Sequence, residues 1–527
     1  MVSLLPNSVH RTIYITGLIF LSLGIIYSCP VMSMSIMLLG VNWLMELNYK
    51  ERIMRFTGNP TALLLSAVFL MHLAGLFFTS DMKYGIDDAR TKIPLFVMPF
   101  IISTTPRLSE KHFRLLLGFF ITGVTVTTLI SMCILKGLIP IEVHDIRDIS
   151  PFVSHIRLSL MICLCIFILG RFIVEPSSLL RRISFSLLII WLITFMAILE
   201  SLTGLSILAL VSLIQGLIYF GSHKPRLGKL VLAVILVVLA LAGSYVFSIS
   251  RTFTEIKSIH SLTREKFTPS GHLYYNDTTF PIVENGNYVY FGVCYDELQA
   301  GWEKRSLIPF HNNDLKGNSI CQTLLRYMAS KGILYKNSET LAGLKPEDIH
   351  NVEKGVTNYK YQNVSSLNAR LYEAIWEIDV YFKGSNPSGH SITMRFEFWR
   401  AGWHILKKNL FWGIGTGDVK QAFHDQYKTD HSKLDDRWQL RGHNQYLAIA
   451  IAFGLAGLFL FLLSLLYPLL HKKMYRNFYY LTFWIILVIS FLTEDTLETQ
   501  AGLTFYALFN ALFLFAQPEP YNVPAIG

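Results

Sequence analysis

This sequence predicts an all-α polytopic membrane protein of about twelve transmembrane helices that carries one large α+β loop domain outside the membrane. Three observations predict it. Of 527 residues, 52% are hydrophobic and only 16% are charged. Mean hydropathy is +0.41, and apolar stretches of spanning length recur along the chain, which excludes an ordinary soluble enzyme. A single long hydrophilic segment, 250–441, interrupts them ahead of the last three. The organisation is therefore 1–249 as helices one to nine, 250–441 as the loop domain, and 442–527 as helices ten to twelve with a short tail.

A window of roughly 20 residues places spans at 12–28, 31–47, 61–79, 93–105, 115–136, 152–172, 183–199, 203–220, 229–249, 445–470, 477–492 and 501–516. The first follows Arg11, has no small-residue cleavage pattern and leads almost directly into the second, so it reads as a retained span and not a signal peptide. The fourth is short and contains Pro94 and Pro99, which predicts a kinked or re-entrant helix.

Loop charges orient the spans, because Lys and Arg gather on the cytoplasmic side. With the N-terminus inside, the inner loops carry Lys50, Arg52 and Arg55; Arg107, Lys111 and Arg114; Arg171, Arg181 and Arg182; Lys224, Arg226 and Lys229; and Lys472, Lys473 and Arg476. The opposite loops are acidic or neutral, with Lys83, Arg90, Lys92, Lys136 and Arg147 as exceptions. This orientation puts 250–441 outside the cytoplasm. It also accounts for most of the net charge of +10, since basic loops face anionic inner-leaflet lipid. No basic stripe interleaved with aromatics is present, and nucleic acid is not a partner.

The loop domain has the aromatics, glycine turns and mixed charge of a folded unit. A polar helical stretch at 251–266 is expected, then short strands at 279–283 and 288–291 around the turn Asn285-Gly286-Asn287. Helices follow at 320–331, 345–352, 364–382 and 392–410. Cys294 and Cys321 are the two cysteines of this domain. A disulfide between them would contribute roughly 3 to 4 kcal/mol; two free buried thiols are the alternative.

The chemistry concentrates in the last third. The turn at 384–389 precedes Ser391, a candidate cap for the 392–410 helix, on which Arg395 and Trp399 share a face. An Arg beside a Trp just above a membrane suits a phosphate ligand, because guanidinium makes planar, bidentate hydrogen bonds to phosphate oxygens. Arg400 either supports that site or simply pairs with Glu397. Next comes Gly413-Ile414-Gly415-Thr416-Gly417-Asp418, which follows no βαβ pattern and reads as a tight turn at the membrane surface. Last, Arg441-Gly442-His443-Asn444-Gln445 stands at the mouth of the tenth span, where polar side chains are costly to desolvate unless they work or snorkel.

The order Arg395-x-x-x-Trp399, then Gly413 to Asp418, then His443-Asn444-Gln445-Tyr446-Leu447 followed by Gly454-Leu455-Ala456-Gly457-Leu458, resembles the O-antigen ligase and polymerase superfamily. The likeness extends to the many spans and the large loop before the last three. Weaker echoes are His155-Ile156-Arg157-Leu158-Ser159, Ser201-Leu202-Thr203-Gly204 and Glu494-Asp495. Many relatives have an Arg where this chain has Leu202, so that position is assigned no role.

The resemblance implies a GT-C-type glycosyltransferase with a large periplasmic loop domain, multi-pass in the bacterial inner membrane. It implies an undecaprenyl-diphosphate-linked glycan as donor, lipid A-core or another glycan as acceptor, and neither a nucleotide sugar nor a metal cofactor. In the sequence, no external His, Asp and Glu have clear metal-ligand spacing. Cleaving the sugar–phosphate bond leaves charge on a diphosphate, which calls for fixed cations. Arg157 and Arg395 are assigned to it, with Arg400, Arg90, Lys92, Trp399 and Asn444 as further substrate contacts. Snorkelling is the plain alternative for Arg157, and pairing with Asp87 or Asp88 for Arg90 and Lys92. His443 either takes the acceptor hydroxyl's proton or donates to phosphate. The leading function is O-antigen ligase. A polymerase and a protein O-oligosaccharyltransferase share the donor, while a flippase needs mid-span charges and repeated halves that this chain does not display.

Overall fold

A computed structural model describes residues 4–141, 146–223, 225–254, 265–279, 282–362 and 366–518. The chain divides into two compact units. One comprises Met1–Pro140, Ile149–Gln215 and Met394–Gly527; the other comprises Ile141–Asp148 and Gly216–Thr393. The 394–441 part of the hydrophilic segment thus belongs with the apolar helices.

The first unit begins with α1 (Asn7–Tyr27), α2 (Cys29–Met45), α3 (Tyr49–Thr57), α4 (Pro60–Gly75), α5 (Met82–Thr91), α6 (Pro94–Thr104) and α7 (Glu110–Leu135). It continues with α8 (His155–Val174), α9 (Leu179–Ile198) and the start of α10 (Leu202–His223). Helix starts follow local chemistry. The side chains of Ser28, Asn59, Ser109 and Ser178 each accept a backbone N–H of the first turn of α2, α4, α7 and α9. Polar groups between helices find one another. His10 Nδ1 lies 2.8 Å from Asn42, and the Trp43 and Trp191 indoles donate to Thr104 and Thr128 at 2.9 and 2.8 Å. Such bonds hold apolar helices together where lipid supplies no hydrophobic drive.

A helix stands at each predicted span. Among the described residues seven are long and apolar enough to cross a membrane, and α2 with α3, bent by 117°, makes a possible eighth. The molecule is a mostly helical polytopic membrane protein. α6 is only 11 residues long with Pro99 inside it, in keeping with its two prolines.

The second unit runs through α11 (Pro225–Thr254), β1 (Val283–Glu284), β2 (Asn287–Tyr288), α12 (Tyr295–Trp302), α13 (Ile320–Ser330), α14 (Ser338–Ala342), α15 (Pro346–Glu353) and α16 (Ser366–Phe382). The hairpin forms around Asn285 and Gly286, both at positive φ, with Val283 opposite Tyr288. Its strands are two residues each; 280–281 of the first expected strand lie outside the described residues, and isolated bridges join Tyr275 to Val293 and Val293 to Lys336 beside the helices. The 251–266 helix expectation lies largely outside the described residues.

Trp302, Leu324, Tyr327 and Met328 centre the core of this unit. Beside them, fully buried Glu284 accepts from Arg326 at 2.6 Å, from Asn358 at 3.1 Å and from the Tyr372 hydroxyl. A buried carboxylate is tolerated only when paired and hydrogen-bonded in this way. Cys294 and Cys321 are both free thiols, the second of the two alternatives. α17 (Thr393–Lys408) starts two residues after Ser391, whose hydroxyl accepts from Arg370 at 2.9 Å.

The first unit then resumes with α17, α18 (Val419–Thr429), α19 (Gln445–His471), α20 (Phe478–Thr493) and α21 (Gln500–Ala511), which ends in a π turn at Leu512–Ala516. Phe505, Phe509 and Phe513 stack along one face of α21 against Phe120 and Phe483. That packing fixes the start of α21 and so the loop before it.

Candidate active site

The glycine-rich stretch builds the floor. α19 is broken at Gly454 (φ 66°, ψ −166°), a conformation open to glycine and hardly to any other residue. A break inside a span strands backbone groups that lipid cannot satisfy. The segment on both sides of Gly413 fills the gap. Ile414 and Gly415 donate to the carbonyls of Ile451 and Ala452 at 3.1 and 2.9 Å, and Leu455 donates to Leu410 at 2.8 Å. A Cβ on Gly413 would lie 2.4 Å from Ala452, and one on Gly454 2.2 Å from Phe411, so both glycines are steric necessities.

From there the chain grips α4. Thr416 donates its hydroxyl to the His72 carbonyl at 2.7 Å, and the Asp418 carboxylate accepts from Ser80 at 2.8 Å and Asp81 at 2.9 Å. The expected surface turn is thus a structural wedge between two spans.

The polar cluster sits above this floor. Its hub is the loop joining α20 to α21, where Glu494 and Asp495 precede a 3-10 turn at Thr496–Glu498. Gly502 permits the tight fold, since a Cβ there would meet the Thr496 carbonyl at 2.3 Å.

His443 faces the hub with its backbone in the left-handed region, φ 41°, which costs a non-glycine residue of order 1 kcal/mol or more. Its Nδ1 stands 3.6 Å from Asp495 and 3.8 Å from Glu494, and its ring lies 5.5 Å from Phe398 of α17. Arg395, also on α17, donates to Glu494 at 2.7 Å and to the Thr493 carbonyl at 3.3 Å. Arg157, in the first turn of α8, donates to Ser154 at 2.9 Å, lies in the field of Glu494 and Asp495, and has a buried Nε with no partner among the described residues. His443 and Arg395 thus converge on one acidic pair, whose charge also reaches Arg157.

Burial by itself would raise the Glu494 carboxyl; the nearby His443 and Arg395 charges and the Arg395 hydrogen bond outweigh it and hold the group below its ordinary range. His443, Glu494 and Asp495 offer one nitrogen and two oxygens within 4.8 Å, a possible cation cradle that sequence spacing hides. Arg395 already brings a fixed positive charge to one of those carboxylates.

The remaining assigned residues divide by surroundings. Trp399 has a buried Nε1 with no partner among the described residues. Arg400 pairs with Glu397 at 2.8 Å, and Glu397 also accepts from Ser432 at 2.9 Å. Asn444 caps α19 through the Leu447 N–H at 2.9 Å and donates to the Leu492 carbonyl at 3.0 Å. Arg90 is exposed at the end of α5.

Lys92 is fully buried, donating to Glu498 at 2.8 Å and to the Leu497 carbonyl at 2.6 Å, with Asp88 3.6 Å away. Glu498 also takes Arg441 and Gln445, each at 3.3 Å. Burial would raise Glu498, but the Lys92 and Arg441 charges carry it well below the ordinary range. This brace holds the residues on either side of His443. Neither Glu498 nor Gln445 is assigned a site role from sequence; their signals were the acidic loop 494–498 and the polar run 441–445.

The fainter echoes meet as well. Ser159 of α8 hydrogen-bonds Ser201 at 2.8 Å, and a Cβ on Gly204 would lie 2.6 Å from Ser159. The segment carrying Arg395, the glycine wedge, His443 and the Gly454 break is also where comparison with known families gives a result. Residues 355–462 match the O-antigen ligase family. The match bears out the resemblance read from the motifs. It supports a membrane enzyme of the glycosyltransferase or ligase type, with lipid-linked glycan and acceptor as its general partners. No curated protein matches the chain.

Proposed function

We propose that this protein is an O-antigen ligase, transferring a glycan from undecaprenyl diphosphate to lipid A-core at the periplasmic face of the inner membrane. The observation that carries the reading is the convergence of His443 and Arg395 on Glu494 and Asp495, whose charge also reaches Arg157, beside the wedge that ties α17 to α19 and α4. The acceptor hydroxyl attacks the anomeric carbon, and the bond from that carbon to the diphosphate oxygen breaks with its electron pair leaving on the diphosphate. Arg395 and Arg157 offset the charge that develops there. The hydroxyl proton passes to His443, whose imidazolium is then stabilised by the two carboxylates that face it. Asp495 and Glu494 act here as positioning residues.

The experiment is reconstituted transfer from an undecaprenyl-diphosphate glycan to three acceptors. Lipid A-core accepting the glycan supports the proposal. Transfer only to a second carrier-linked glycan makes the protein a polymerase, and transfer only to a Ser/Thr protein makes it a protein glycosyltransferase. No transfer by folded protein turns the reading toward transport of the same lipid.

A further inference from the structure

An exposed aromatic and basic strip runs from the end of α17 to the wedge. Trp403, Lys407 and Leu410 share one side, with Lys407 5.3 Å over the Trp403 ring, while Lys408 beside them donates its ammonium to Gln426 at 2.7 Å. Phe411 and Trp412 follow at 67% and 78% exposure, unusually high for such side chains. What they face is set by the hydrogen bonds of their own backbone. The Leu410 carbonyl accepts from Leu455 and the Phe411 carbonyl from Ala456, which puts these residues against the broken span itself.

Just below, Leu455, Phe459, Leu462 and Leu466 form an exposed stripe at helical spacing along α19, and Phe77 and Phe78 are exposed at the end of α4. The strip is therefore continuous with the lipid-facing surface of two spans. Beyond the break, the part of α19 that runs from Leu455 to His471 makes roughly 26 Å of helix, close to a hydrocarbon core of about 30 Å. The part before the break begins with Gln445 tied to Glu498, so Gly454 falls near the hydrocarbon boundary.

We propose that segment 403–412 is a membrane-interface anchor, with Phe411 and Trp412 entering the acyl-chain boundary and Lys407 at the lipid phosphates. Tryptophan is the residue type that settles at this level, and basic side chains snorkel to it. The anchor sits on the helix that carries Arg395, so it fixes the height of that guanidinium relative to the headgroups.

The test uses the full chain in phosphatidylglycerol–phosphatidylcholine vesicles. The Trp412 emission is taken as the difference between the parent and Trp412→Phe. Lipids brominated near the headgroup end of their acyl chains should quench most of it, and aqueous iodide should quench little. Strong quenching by iodide, or quenching by neither agent, overturns the proposal. Should Trp412→Phe fail to fold, the Trp403→Phe difference reads the same surface with the same two outcomes.

Discussion

His443 occupies a backbone conformation that a glycine would hold at less cost, and it does so between two residues, Arg441 and Gln445, that are both tied to Glu498. The strain is offset by that brace, as expected where a side chain must be aimed and not merely packed. Arg395→Ala and Arg157→Ala should each lower transfer by about 10²- to 10³-fold, the usual effect of removing one donor to developing charge. Arg395→Lys should restore little, because a point charge does not replace a planar fork. Wild-type rates in both alanine variants would remove the arginines from the site. His443→Ala should cost roughly 10²- to 10⁴-fold. His443→Gln then divides the two roles, since it keeps a donor but not a base: a rate like that of the alanine variant assigns proton transfer, and a rate near wild type assigns phosphate binding.

Glu494 makes a prediction about pH. Its folded value is lower than its ordinary 4.5, so its contribution to stability is present above the ordinary range and is lost as pH falls through the lowered value. The melting temperature of the parent in detergent should therefore drop more steeply between pH 6 and pH 3 than that of Glu494→Gln. Parallel slopes would refute the pairing with Arg395 and His443.

Among the elements, α17 and α19 decide the geometry, and neither could be placed from its own sequence. Helix α17 was legible from the periodicity of 392–410, and the start of α19 from Asn444 ahead of an apolar run. The break at Gly454 was not, because Phe-Gly-Leu-Ala-Gly-Leu reads as ordinary span sequence, and the groups that fill the break come from some 40 residues earlier. For the same reason Glu494 and Asp495 showed only as an echo, separated from His443 by half a hundred residues and brought to it by the phenylalanine stack under α21. Lys92 looked like a loop cation; its partners Glu498 and Leu497 lie 406 and 405 residues away, and no local rule exposes them.

Gly454→Ala should be among the most damaging single changes to stability. Its strained conformation alone costs about 1 to 3 kcal/mol for a residue with a Cβ, and the new atom would press on Phe411. Gly118→Ala on α7, where a Cβ meets nothing within 4 Å, should instead gain about 0.5 to 1 kcal/mol. Thermal shifts of opposite sign are expected; equal shifts would mean that the break is not held as described.

For the molecule as a whole, composition and span pattern were sufficient to predict a polytopic helical protein, since each span is an apolar run that must close its own hydrogen bonds. The division into units was less legible. Chemically, 394–441 looks like the rest of the hydrophilic segment, yet its wedge and its charged residues are spent on the apolar helices. The sheet is shorter than expected: Val289 still donates to the Ile282 carbonyl at 3.0 Å, but its side chain packs among the helices of the core, and Phe291 packs on the hairpin residues Val283 and Tyr288. The cysteines give a whole-chain check. Six free thiols are present among the described residues, so denatured protein alkylated without reductant should titrate six. A count of four would restore a disulfide.

The break in α19 also bears on how the protein is made. A span that lacks part of its own hydrogen-bond ladder cannot enter lipid alone without stranding backbone donors and acceptors, at several kcal/mol for each group. Ribosome and translocon must therefore deliver the 410–418 wedge together with the helix, and both wait for α4 and the Ser80–Asp81 link after it, already inserted, to receive Thr416 and Asp418. Of all the spans, α19 is the one whose biogenesis is least separable from that of its neighbours.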